Sequence, residues 1–220
     1  MADSVLHDVN DFPTLLARLK DADVAALLAT ADPAELEKLG EHITTTGELR
    51  DLLALAGNDH ALVLTFISKI GSTTLQRLAE SISTPGELRE LLELAEDDDK
   101  IITAFIAEAG VDTMLDRVFG LMPTRFKSDS LGTESAVVEW HIDTADGQKI
   151  YNLTLAADAV ASERGPATKP RITLIMSAPN LLRLCAGTLD GVTAFMSSKI
   201  KLTGDMMFGA RIPGMFDTSS

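Results

Sequence analysis

PRITLIMSAPNLLRLCAGTLDGVTAFMSSKIKLTGDMM, residues 170–207, decides how this chain is read. Ile172, Leu174 and Met176 alternate with less apolar neighbours, the period of a strand. Ser177 then caps a helix with Pro179 in its first turn, and Gly187 ends it. A second helix near Asp190 to Ser197 leads into a short strand, Lys199 to Thr203, and a Gly204-Asp205 turn opens a further apolar helix at Met206. Within AFMSSKIKLTGDMM (194–207) charge falls only on Lys199, Lys201 and Asp205. Such a segment keeps one face in water and presents flexible apolar side chains on the other. Methionine fills irregular apolar spaces well, so the stretch suits the wall of an apolar pocket better than a catalytic cleft.

The elements upstream agree. In AVVEWHID, Ala136, Val138, Trp140 and Ile142 share one face, and Val137, Glu139, His141 and Asp143 share the other. Asp146-Gly147 signals a hairpin, and the return strand puts Tyr151, Leu153 and Leu155 on one side. A weaker third strand is expected from Ala157 to Glu163, with ERGPATKP (163–170) as a loop. The order of strands and helices is an α+β arrangement.

The N-terminal half follows a different rule. ELEKLGEHI (35–43) aligns with TLQRLAESI (74–82), and GELRDLLALA (47–56) with GELRELLELA (86–95), both at a shift of 39. Phe66-Ile67 and Gly71 match Phe105-Ile106 and Gly110 at the same shift. One shift shared by three blocks marks an internal repeat. A fainter first copy covers roughly residues 11–43. Each copy reads as three short helices. Thr45 with Glu48, and Thr84 with Glu87, form capping boxes. Asp59 and Asp99 are placed at the starts of middle helices, Gly71 and Gly110 at their ends, and Pro33 follows a further cap at Asp32. About nine helices result, as a repeat array or a compact bundle. Pro123 is expected to stop the last of them.

Charge divides the chain at the same place. Residues 1–122 hold 23 acidic and 9 basic residues, whereas residues 123–220 hold 10 of each, so the whole net charge of −14 lies in the first part. We therefore expect two domains, an acidic helical repeat module (1–111) and an α+β domain (112–220). The helix from Asp112 to Met122 suits either. Phosphate binding needs a basic stripe, so nucleic acid is not an expected partner. Nor is a strongly anionic membrane surface. The acidic module could instead dock a protein with a basic patch. Glu96-Asp97-Asp98-Asp99 reads as helix capping, because a calcium loop alternates its oxygen ligands around a glycine turn.

No run approaches the roughly 18 apolar residues of a membrane span, and MADSVLHDVNDF lacks a basic start and an apolar core. One cysteine, Cys185, precludes an internal disulfide. A cytoplasmic protein is the simplest expectation. Catalytic signatures are missing. His7, His42, His60 and His141 show no metal-ligand spacing. Glu139 and His141 read as a solvated strand surface, Cys185 as an inert buried thiol, and Lys199 and Lys201 as facing solvent. Neither an enzyme activity nor a cofactor or metal is expected.

The residues quoted at the outset, with Trp140 and Gly147, resemble the sterol carrier protein type two family over about residues 112–216. The connector Gly187 to Gly191 and the Lys-Ile-Lys strand closed by Gly204-Asp205 are its most specific parts. The family usually has glycine where this chain has Ser198, so a slightly different backbone is expected there. The resemblance implies a mostly antiparallel five-stranded sheet covered by helices, around an apolar tunnel for fatty acyl chains, sterols or isoprenoid-like lipids. Trp140, Leu153, Leu155, Leu174, Met176, Leu184, Phe195, Met196, Met206 and Phe208 would line it. The function this implies is non-catalytic binding, transfer or presentation of a hydrophobic lipid. The alternative is a protein-interaction scaffold, or an accessory subunit that presents an apolar substrate to a partner enzyme.

Overall fold

The computed structural model describes residues 11–219, apart from 21, 58, 97, 157 and 158. His7, Asp97 and the expected strand start at Ala157 fall outside these. The chain divides into two compact units, up to Met114 and from Leu115 onward.

The first unit is helical. Its elements are α1 (Phe12–Leu19), α2 (Val24–Thr30), α3 (Pro33–Glu41), α4 (Thr46–Leu55), α5 (His60–Lys69), α6 (Ser72–Ser81), α7 (Pro85–Glu93) and α8 (Asp99–Ala109). The next helix, α9 (Val111–Arg125), contains the division between the units. The starts of α4 and α7, of α5 and α8, and of α6 and α9 are each 39 residues apart. Equivalent helices of successive copies pack together: α1 on α4 on α7, α2 on α5 on α8, and α3 on α6. That is the stacking of a repeat array. Leu49, Leu52 and Leu53 of α4 are buried, and so are Leu88, Leu91 and Leu92 of α7.

Side-chain caps set the helix ends. Thr45 and Thr84 both form complete capping boxes, with Glu48 and Glu87 reaching back to the cap backbone. Asp32 and Glu35 form a third. Asp59 caps α5 as expected, but Asp98, not Asp99, caps α8. The repeat's own shift of 39 carries residue 59 to 98, so the period was the better guide to this cap than the run of acids. Gly71 and Gly110 take φ of +96° and +92°, a backbone that other residues adopt only with strain. Pro123 does not stop α9, which runs two residues further. A proline this near a helix end forfeits one N–H bond and little else.

The second unit is a five-stranded sheet with helices on it. Strands β1 (Ala136–Thr144), β2 (Gly147–Leu155), β3 (Val160–Arg164), β4 (Ile172–Ser177) and β5 (Ile200–Gly204) lie in the order β3-β2-β1-β4-β5. Only the β1–β4 pairing is parallel; the other three are antiparallel. β3 runs one residue past its expected end at Glu163, and Arg164, expected in the loop, completes it opposite Tyr151. The helices are α10 (Ala178–Cys185), α11 (Gly191–Met196) and α12 (Met206–Gly209). Helix α10 opens on the Ser177 cap. It closes with Gly187 N–H donating to Leu184 C=O and Thr188 N–H to Arg183 C=O, with Gly187 at φ +71°. Those two bonds are a Schellman motif. Ser198 holds φ +60°, so the chain keeps a glycine-type backbone there without the glycine. A residue with a Cβ holds that conformation at a cost of about 1–2 kcal/mol.

Candidate functional site

One face of the sheet is apolar from β2 across β1 and β4 to β5, while the edge strand β3 sets Arg164 and Ser162 beside Tyr151 and Leu153. Register sets Tyr151 beside Trp140, Trp140 beside Leu174, and Leu174 beside Leu202. A second row joins Leu153, Val138 and Ile172, and a third joins Ile142, Met176 and Ile200. Period-2 alternation puts these residues on one side, and all but the half-buried Leu202 are buried.

Several elements cover this face. Phe119 of α9 stacks on Tyr151 with ring centroids 4.2 Å apart, and meets Trp140 edge-on at 5.8 Å. The Tyr151 hydroxyl donates to Asp116 of the same helix at 2.8 Å, and Arg164 pairs with that carboxylate. Helix α10 packs on β1 and β4. Helix α12 packs on β4 and β5. There Gly209 approaches so closely that a Cβ would lie 2.3 Å from Ile172 Cδ1.

Ionic contacts hold α12 in place. The Asp205 side chain caps it, accepting from Phe208 N–H at 2.9 Å. Arg171 binds Asp205 at 2.9 Å and Glu134 at 2.7 Å, and its guanidinium lies 4.2 Å from the centre of the Phe208 ring. Hydrogen bonds from Phe208 N–H and then Arg171 hold the Asp205 carboxyl below its ordinary range. The Arg171 guanidinium does the same for Glu134.

The covering helices leave apolar surface in water. Val192, Phe195 and Met196 of α11 are 56%, 42% and 79% exposed, and Met206 and Met207 of α12 are 43% and 81% exposed. Of the six large hydrophobics exposed in the described chain, these are five. Lone exposed apolar residues need no explanation, but five on two short helices flanking one strand do. Lys199 and Lys201 are exposed on and beside that strand.

The residues singled out in the sequence therefore separate into two groups. Trp140, Leu153, Leu155, Leu174, Met176 and Phe208 are buried, and Leu184 is half-buried. Phe195, Met196 and Met206 stand in solvent. Val192 and Met207, not among the ten, are exposed beside them. Both lie within the stretch quoted at the outset, each two residues after its helix cap.

The opposite face of the sheet differs from expectation. Glu139 and His141 are not a solvated pair. His141 Nε2 lies 2.7 Å from Glu139 Oε1, and Ala167 N–H donates to Glu139 Oε2 at 2.7 Å. Asn152 Nδ2–H donates to Gly165 C=O at 3.0 Å. The segment after β3 thus folds back over this face and leaves Glu139 and Asn152 buried. These bonds satisfy polar groups that would otherwise be buried alone. Burial pushes the Cys185 thiol up to about 12, so little of it is the reactive thiolate at neutral pH. Among the described residues no group of His, Cys, Asp or Glu converges as a metal site would. No described helix is long and apolar enough to cross a membrane.

Residues 126–217 match the SCP-2 sterol transfer family, and the second unit carries a domain of that family. Among solved structures, sterol carrier protein 2 like 2 from Aedes aegypti aligns at 22% identity over 48% of this chain and 95% of its own, with a TM-score of 0.40. Sterol carrier protein 2 from Yarrowia lipolytica, in its apo form, aligns at 21% over 48% and 88%, with a TM-score of 0.38. The inverting sec-alkylsulfatase Pisa1 from a Pseudomonas species aligns at 18% over 93% of this chain but 30% of its own, with a TM-score of 0.43. No curated protein matches the chain.

Proposed function

We propose that the second unit binds a hydrophobic lipid without transforming it, and carries or presents it to another acceptor. The lipid lies between the apolar face of the sheet and helices α11 and α12. Trp140, Leu174 and Met176 form the floor. Phe195, Met196, Met206 and Met207 form the entrance, with Phe208 behind them. The observation that carries the reading is the exposure of five large apolar side chains on α11 and α12, in a domain of a sterol transfer family. Apolar surface in water costs about 25 cal/mol per Å2 that a lipid could cover. Holding a tail this way needs facing apolar walls and few polar contacts. Glu139 is buried with His141 beside it, and its carboxylate already accepts from Ala167 N–H.

The test is native mass spectrometry of gently purified full-length protein, followed by titration with a fluorescent fatty acid and a fluorescent sterol. Co-purified lipid or saturable uptake supports the reading. A chain that never carries lipid and shows no saturable uptake of either probe overturns it.

A further inference from the structure

Trp140 combines two properties that conflict. Its side chain is 2% exposed at the centre of the apolar face, and its indole Nε1–H finds no acceptor among the described residues. A buried donor left unpaired costs about 1–3 kcal/mol, and native structures keep few of them. Phenylalanine would fill an apolar core position without that cost.

The position of this donor is informative. Trp140 sits on β1, Leu174 beside it on β4, and Leu202 beside that on β5. Two strand spacings, about 10 Å, therefore separate it from the strand that α11 and α12 flank. The walls along this row are apolar: Leu174, the half-buried Leu202, and Phe119 above. The charged pair at the Tyr151 end of the row is already committed. Asp116 takes the Tyr151 hydroxyl and pairs with Arg164.

Resting on the lipid-binding reading, we infer that Trp140 Nε1–H is the buried recognition group for the oxygen of a neutral, oxygen-tipped lipid, such as a long-chain alcohol or ketone. The lipid enters oxygen-first. Its acceptor pairs with the indole, and its tail lies along Leu174 and Leu202 towards the exposed methionines. A carboxylate is disfavoured, because burying its charge against these apolar walls costs far more than burying a neutral oxygen. Selectivity follows from the same asymmetry: a lipid lacking the oxygen leaves the indole unpaired.

The chain has one tryptophan, so its indole N–H gives one resonance when tryptophan is 15N-labelled. The full-length protein is titrated with dodecanol, dodecane and dodecanoate. Dodecanol should move the indole proton downfield and bind about five-fold more tightly than dodecane, as one neutral hydrogen bond predicts. Trp140→Phe should abolish that preference, so that dodecanol and dodecane bind the variant alike. If dodecanol and dodecane both bind saturably and the indole resonance responds alike, or if dodecanoate binds tightest and moves it most, the inference is overturned while lipid binding stands. If none of the three binds, the lipid-binding reading fails with it. The wild-type resonance decides the matter even where the variant does not fold.

Discussion

The two units treat their apolar residues in opposite ways. In the first, nearly every large apolar side chain is buried between stacked helices; Leu55, at 37%, is the sole large exposed one among its described residues. In the second, a sheet face is apolar over four of its five strands, yet five large hydrophobics on its covering helices stay in water. Charge divides in the same sense, since the first part carries the whole net charge and the second is neutral. A repeat array can satisfy its hydrophobic surface locally, copy against copy. A single sheet with short covering helices cannot, and here the remainder is concentrated in one place. That difference locates the candidate for an apolar guest in the second unit.

The comparison can be broken at its strongest point first. Phe119 is 1% exposed and contacts both Tyr151 and Trp140. Phe119→Ala should cost about 3–5 kcal/mol, read as an earlier urea transition in tryptophan fluorescence. A shift below about 1 kcal/mol would show that this packing does not hold the sheet's cover. The repeat is tested by Thr45→Ala and Thr84→Ala, which remove the same cap from successive copies. Each should cost about 1 kcal/mol in helical content monitored during denaturation. Unequal costs would mean that the copies are not energetically equivalent.

A smaller effect concerns α12. Glu134 and Asp205 have carboxyls held below their ordinary range in the folded state. Their contribution to stability is therefore present above the unfolded carboxylate range, and is lost as pH falls through the depressed values. Arg171→Met should flatten this acid-side loss and its salt dependence without moving neutral-pH stability much, because the groups lie at the surface. Acid titration curves of wild type and variant that superimpose would show that Arg171 does not set these carboxyls.

Much of this was legible in the sequence, for identifiable reasons. The shift of 39, the Thr-Glu capping boxes and the alternation around Trp140 are local patterns, and local patterns survive folding. The errors came where distant chain intervened. Glu139 and His141 look solvated by alternation, and only the return of residues 165–167 over that face buries them. Arg164 looks like loop because its charge and a following Gly-Pro obscure a pairing with β2. Ser198 was expected to alter the backbone, but the hydrogen bond from Lys199 N–H to Ala194 C=O holds it in the left-handed region. Burial of Phe208 beside exposed Met206 and Met207 depends on which side of a four-residue helix meets the sheet, which spacing alone does not fix.

Strand β5 has one further consequence. It ends the sheet with no strand beyond it among the described residues, and helices with exposed apolar side chains flank it. Two copies of this protein meeting there could extend one sheet into another, the usual start of aggregation. Lys199 and Lys201 stand along that border, and each copy would bring the same two positive charges. Self-association is thus opposed at an edge that the exposed apolar helices would otherwise favour, and the lysines serve as guards of it.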